Sequence, residues 1–224
     1  MVICESQKFL FVRIPKNAST SLATFFVQGY CNSKDKYTGI GDAGIKTQNV
    51  DQNIVNQYKL GYRFIHLTLN EIIDNGLISQ SQISDMKVFG CIREPFDRQL
   101  SLYFFKKRQS KHTSPHEFQN MFRNGYCEGD NNNKILQSEY LTIRNENVGE
   151  YWLYDNLNQH LKTFQSQFNA INQISLPQYK SSMRKTLDKN ELIEQYYNQS
   201  TRDAVMKYYE KDFELYEKLK NENR

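Results

Sequence analysis

The chain has 224 residues, 38% hydrophobic and 24% charged, which is enough for a sizeable α/β core and argues against a fibrous or disordered chain. Its formal net charge of +4 is too small to argue for general nucleic-acid binding, although it suits polyanionic small ligands. Cys4, Cys31, Cys91 and Cys127 form no C-x-x-C pair, which argues against a zinc ribbon or a thioredoxin-type site and suits reduced, intracellular usage.

The first nine residues, MVICESQKF, lack a basic stretch followed by a long apolar one, and no run approaches the ~20 apolar residues of a membrane span. The expectation is a soluble, cytoplasmic protein. From Phe9 to Ile14 a nearly continuous apolar run, broken only by Arg13, reads as a strand buried on both faces. Pro15 ends it, having no N–H to donate. Ser19, Thr20 and Ser21 are good helix N-caps, and from Ser21 the pattern turns helical, with Leu22, Phe25 and Phe26 on one face.

A strand, a tight turn and a helix N-terminus with Lys16 in the turn form a natural anion site. The first N–H groups of a helix have no intrahelical partner, and the macrodipole puts partial positive charge there. An ordinary capped turn with a solvated lysine is the bland alternative. The turn contains no glycine, so it is not expected to wrap a triphosphate with positive-φ backbone. No G-x-x-x-x-G-K-[ST] pattern is present, which argues against an ATPase or an ordinary kinase.

Tyr30 to Lys59 is polar and contains Gly39, Gly41 and Gly44. It reads as an irregular excursion with a short helix near Asn49–Tyr58, either a substrate lid or an insertion. Tyr62–Leu67 reads as a second strand. Thr68 then caps a helix, with Glu71 at capping-box distance and Gly76 at the stop. His66 falls at the end of that strand, where open α/β sheets bind ligands; a structural histidine is the alternative.

Lys87–Ile92 reads as a third strand running into Arg93, with Pro95 in the first turn of a helix and Phe96, Leu100, Tyr103 and Phe104 at helical spacing. Cys91 there reads as a buried small hydrophobe. Arg93 and Ser101 could grip a second phosphate, or Arg93 could simply pair with Glu94 or Asp97. Ser114–Arg123 reads as a short helix capped by Ser114, and Val148–Tyr154 as a strand followed by a helix to about Phe168. Tyr179–Lys185 is a basic, hydroxyl-bearing loop, and Leu187–Lys220 is helical. No linker divides the chain.

RIPKNASTS at Arg13–Ser21, REPFDRQLSLY at Arg93–Tyr103, and a C-terminal part running from LPQYKSSMRK to the Tyr-rich helix ending YEKDFELY occur in this order. In these features the chain resembles the sulfotransferases that use 3′-phosphoadenosine-5′-phosphosulfate (PAPS). The carbohydrate-type branch, which includes heparan sulfate 2-O-sulfotransferases and related small enzymes, is the most similar. Many relatives have Thr and Gly where this chain has Asn17 and Ala18.

The resemblance implies a single domain over residues 1–224, a three-layer α/β sandwich with a central, mostly parallel sheet flanked by helices. It implies sulfuryl transfer from PAPS to an acceptor hydroxyl, above all on a carbohydrate, with a small molecule as the other acceptor class, leaving 3′,5′-adenosine bisphosphate. Arg13, Lys16, Asn17, Ala18, Ser19, Thr20 and Ser21 would hold the phosphosulfate end. Arg93, Ser101 and Arg184 would hold the remainder of the cofactor. Lys16 would stabilise the departing phosphate and His66 would act as general base, with no metal expected. The alternative from another class is a non-catalytic nucleotide- or polyanion-binding module on the same fold.

Overall fold

A computed structural model describes residues 1–38, 47–57, 62–108, 112–122, 134–177 and 188–222. Met1–Ile92 with Gln137–Tyr179 makes one unit and Arg93–Leu136 with Lys180–Arg224 a second.

The first unit is built on a six-stranded sheet. Its strands are β1 (Val2–Cys4), β2 (Phe9–Val12), β3 (Lys36–Thr38), β4 (Thr47–Gln48), β5 (Lys87–Ile92) and β8 (Glu150–Leu153), in the spatial order β4-β3-β1-β2-β5-β8. β2 and β5 pair in parallel, as do β5 and β8, whereas β1 is antiparallel to both β2 and β3, and β3 to β4. The sheet is therefore mixed, which corrects the expectation of a mostly parallel one. Only residues 5–8 separate β1 from β2, and Lys8 turns the corner at φ 59°. A connection that short can make only a hairpin, since a parallel crossover takes a dozen residues or more. A small separate hairpin joins β6 (Thr142–Ile143) to β7 (Glu146–Asn147).

Both faces of the central strands are covered, which is why β2 and β5 read as continuous apolar runs. On one face Phe9, Phe11, Phe89, Cys91 and Trp152 pack against α1 (Ser19–Tyr30) and α7 (Leu157–Gln167), with Phe89 stacked on Trp152 at 4.4 Å. Alternation sends Leu10, Val12, Val88 and Gly90 to the other face, where Gly90 lies under Ile14 and Leu141. Tyr151 closes this side by donating from its hydroxyl to the Ser138 carbonyl and accepting from the Leu141 N–H.

Tyr62–His66 is a 3₁₀ helix, not the strand expected from its apolar content. Thr68 and Glu71 form the expected capping box at the start of α3 (Leu69–Asp74), and Gly76 stops it at φ 66°. The polar excursion after Tyr30 contributes β3, β4 and α2 (Gln52–Gln57); its three glycines lie outside the described residues. α4 (Gln80–Ile83) precedes β5.

At the far end of α1 the chain turns on a buried carboxylate. Asp35 accepts from the N–H groups of Ser6 (3.0 Å) and Asn32 (2.7 Å) and from the Ser6 hydroxyl (2.7 Å). The Cys4 thiol donates to the same carboxylate at 3.5 Å. A hydrogen bond with Cys4, then burial, then the neighbouring Cys4 and Asp35 push the Cys31 thiol up from its ordinary value.

The second unit is helical: α5 (Pro95–Lys106), α6 (Pro115–Asn120), α8 (Lys189–Tyr196), α9 (Gln199–Tyr208) and α10 (Glu210–Glu222). Its core is aromatic, with Tyr103, Phe104, Phe118, Tyr196, Tyr197 and Tyr209 among its buried residues. The single helical stretch expected after Leu187 is three helices, because Tyr197 leaves helical geometry and Asn198 starts α9 with a cap on Thr201.

Candidate functional site

β2 ends at Val12 and α1 begins at Ser19, so residues 13–18 make the turn. Two of them take the left-handed conformation, Lys16 at φ 69° and Ala18 at φ 55°. The expectation that a glycine-free turn avoids positive φ is thereby corrected; the chain adopts it on residues that carry a Cβ. Ala18, not one of the hydroxyl residues, is the N-cap of α1, and it makes no side-chain cap bond. The first turn of α1 also holds no acidic residue. Its dipole end is thus left without a side-chain cap, and left-handed residues in such a turn help successive N–H groups converge on an anion.

Exposure alternates along this turn. Lys16, Ala18 and Thr20 are partly exposed, while Asn17 and Ser19 are buried. The Asn17 side chain points inward and donates to the Cys91 carbonyl (2.8 Å) and to Gln137 Oε1 (2.6 Å). It ties the turn to the end of β5. Arg13 is likewise buried, its Nη1 donating to the Thr38 carbonyl (2.7 Å) and its Nη2 contacting Thr20 Oγ1 (3.3 Å). Gln137, the partner of Asn17, is a residue that sequence reasoning missed; nothing in its polar surroundings marks it.

His66 is 2% exposed, and its Nδ1 lies 2.7 Å from the Arg13 carbonyl oxygen. An acceptor there requires the proton on Nδ1, which leaves Nε2 as the basic nitrogen of a neutral ring. Burial first and the Arg13 charge second hold its pKa well below the ordinary value of 6.5, and the Met1 amino group and Lys16 act in the same direction. The fold therefore brings Arg13, Lys16 and His66 into one electrostatic neighbourhood, although His66 closes a 3₁₀ helix and not a strand. β2 and β5 are adjacent and parallel, so their carboxyl ends share one edge of the sheet.

Within the second unit, Arg93 pairs through Nε with Asp97. Glu94 caps α5 by accepting from the N–H groups of Phe96 and Asp97, and burial raises its pKa despite those bonds. Asp97 and Ser101 lie four residues apart on one face of α5, and Arg93, just before the Glu94 cap, reaches Asp97. Arg93 is 8% exposed and Ser101 partly exposed. Arg184 lies outside the described residues.

No helix among the described residues is long and apolar enough to cross a membrane. The chain matches no curated protein and no solved structure. A family model described as Sulfotransferase family matches residues 1–218, which takes in the Lys16 turn, the Arg93–Asp97 pair and nearly all of the rest. The chain belongs to the sulfotransferase family.

Proposed function

We propose that the protein transfers a sulfuryl group from PAPS to an acceptor hydroxyl, on a carbohydrate or a small molecule. The observation that carries this reading is the start of α1. It is a helix N-terminus without a side-chain cap or first-turn acid, entered through two left-handed residues, with Lys16 beside it. These residues suit a phosphosulfate: uncapped backbone donors and one cation share the turn, and no carboxylate in the first turn opposes an anion. Bound PAPS would supply an activated sulfuryl group whose departure leaves negative charge on the 5′-phosphate.

Lys16 stabilises that charge, and the N–H groups from Asn17 to Ser21 assist it. Arg13 and Asn17 hold the turn in shape through the buried bonds described above. Arg93 and Ser101 bind the 3′-phosphate, with Asp97 orienting the guanidinium, and Arg184 contributes to holding the cofactor. His66, neutral at physiological pH, takes the proton of the acceptor hydroxyl at Nε2.

The near-complete burial of His66 favours a second role for it, positioning the Arg13 backbone through Nδ1. The variant H66N separates the two. As a base, His66 is needed for kcat and its loss removes the acidic limb of the pH profile. As a positioning residue, its loss weakens nucleotide binding and leaves the profile in place.

The reading as a whole is tested by thermal shift and turnover. Stabilisation by 3′,5′-adenosine bisphosphate but not by ATP with Mg²⁺, followed by sulfation of an acceptor panel with PAPS, supports it. Stabilisation by the bisphosphate with no turnover on any acceptor assigns the chain to the non-catalytic binding module. No response to the bisphosphate overturns both.

A further inference from the structure

Cys4 lies far in sequence from Cys31 and Asp35, but the two Sγ atoms and the carboxylate oxygen fall within 4.8 Å of one another. Cys4 ends β1, Cys31 is the C-cap of α1, and Asp35 is the carboxylate around which the following turn folds. Cys4 and Asp35 are fully buried and Cys31 is partly exposed. We propose that this cluster binds one Zn²⁺ ion as a structural clamp between the end of β1 and the end of α1, with Cys4, Cys31 and Asp35 as protein ligands.

The spacing supports the ion. Zinc bonds of about 2.3 Å to sulfur and about 2.1 Å to oxygen at a tetrahedral angle put S and O ligand atoms roughly 3.6 Å apart, and two S atoms roughly 3.8 Å apart. Cys4 Sγ already lies 3.5 Å from Asp35 Oδ2, a contact now made as a thiol hydrogen bond. With all three ligand atoms already within 4.8 Å of one another, closing the triangle to these spacings takes a shift on the order of 1 Å. The Ser6 hydroxyl, 3.5 Å from Cys4 Sγ and 2.7 Å from Asp35 Oδ2, or a water on the Cys31 side, can fill the fourth position. Two thiolates select a soft or borderline cation over Mg²⁺ or Ca²⁺. Among the described residues Asp35 makes no ion pair, so no side-chain cation competes for the place. Metal on these three groups would fasten the C-terminal end of the helix whose N-terminal end faces the proposed phosphosulfate.

The test uses the full chain, freshly reduced and freed of metal by a chelator, and titrated with Zn²⁺ and with Cd²⁺ as a spectroscopic probe. The expected result is one ion per chain, a sulfur-to-cadmium charge-transfer band, and a Tm raised by about 5–10 °C at hundredfold excess over Kd. C4S and C31S abolish the band and the shift, while C91S and C127S keep both. D35N weakens binding and keeps part of the band; C31S, at the partly exposed position, gives a folded control should D35N fail to fold. Persistence of the band in the C4S/C31S double variant overturns the assignment, as does a chain that takes up no ion. Ready formation of a Cys4–Cys31 disulfide in air, seen as a loss of two hydrogens by mass, with no metal uptake by the reduced form, also overturns it.

Discussion

Asn17→Ala isolates what holds the phosphate-facing turn in place. The side chain is wholly buried and donates to the Cys91 carbonyl at 2.8 Å and to Gln137 Oε1 at 2.6 Å. Alanine keeps the backbone but removes both donors, so two buried acceptors each lose a hydrogen bond. Leaving a buried polar group short of a partner costs about 1–3 kcal/mol. Two such losses, reduced by whatever water enters the vacated volume, give an expected destabilisation of about 2–4 kcal/mol. Urea unfolding followed by tryptophan fluorescence measures it, since Trp152 is the one tryptophan and is buried in the same unit. Asn17→Asp should be worse than alanine, because it places a negative oxygen against two acceptors. A loss under about 0.5 kcal/mol for Asn17→Ala, or an aspartate variant as stable as the wild type, would refute the account of Asn17 as a buried bracket.

Lys16→Ala should leave the fold intact by circular dichroism and lower turnover by about 10²–10³, the scale for losing one transition-state donor; unchanged turnover removes Lys16 from the chemistry. His66 gives a pH signature. Its native pKa lies well below 6.5, so the unfolded chain takes up the proton first as pH falls. Stability from this group is full above about pH 6.5 and declines below it, by up to ~1.4 kcal/mol per pH unit. H66Q should flatten that decline in urea unfolding between pH 5 and 8, and an unchanged slope would count against the burial argument. Ala18→Gly relieves a left-handed alanine that costs about 1–2 kcal/mol, offset by about 0.5–1 kcal/mol of added freedom in the unfolded chain. A Tm equal to or slightly above wild type is expected, and a clear drop argues against the observed φ. Gly149→Ala puts a Cβ 2.9 Å from Leu141 Cδ1 and 3.1 Å from Leu141 Cβ, with Val88 behind it. Overpacking there should cost about 1–3 kcal/mol in urea unfolding, and a neutral result would mean that Leu141 yields freely.

Elements with local chemistry were legible in the sequence. The Thr68–Glu71 box, Pro95 in the first turn of α5, the Ser114 cap and the apolar runs of β2 and β5 are set by residues a few positions apart, and the structure has them all. What failed depended on distant partners. Val2–Cys4 is too short to announce itself and becomes a strand through pairing with Phe9–Phe11 and Lys36–Tyr37. Tyr62–His66 has the composition of a strand, but its described neighbours use it as a 3₁₀ turn that buries Phe64 and delivers His66 to the Arg13 carbonyl. The inward role of Asn17 was illegible for the same reason, since Cys91 and Gln137 lie 74 and 120 residues away.

The distribution of helix caps bears on why the Lys16 turn has the form it does. α3, α4, α5, α6, α8 and α9 each begin on a side chain that accepts from the first turn, and α7 runs on from a 3₁₀ turn at Tyr154–Asn156. α1 begins on a left-handed alanine, although three hydroxyl residues follow immediately. Forgoing a cap costs about 1 kcal/mol and each left-handed non-glycine about 1–2 kcal/mol, so some 3–5 kcal/mol of unfavourable geometry is concentrated in one short turn. Six of the other helices take a side-chain cap, so an uncapped start entered through two left-handed residues is a costly arrangement, and strained, open helix starts of this kind are where anions bind. The buried bonds of Asn17 and Arg13 are what offset the cost. The turn should therefore relax when either bracket is lost and tighten when an anion arrives, and Asn17→Ala should consequently lose nucleotide affinity and stability together, not one without the other.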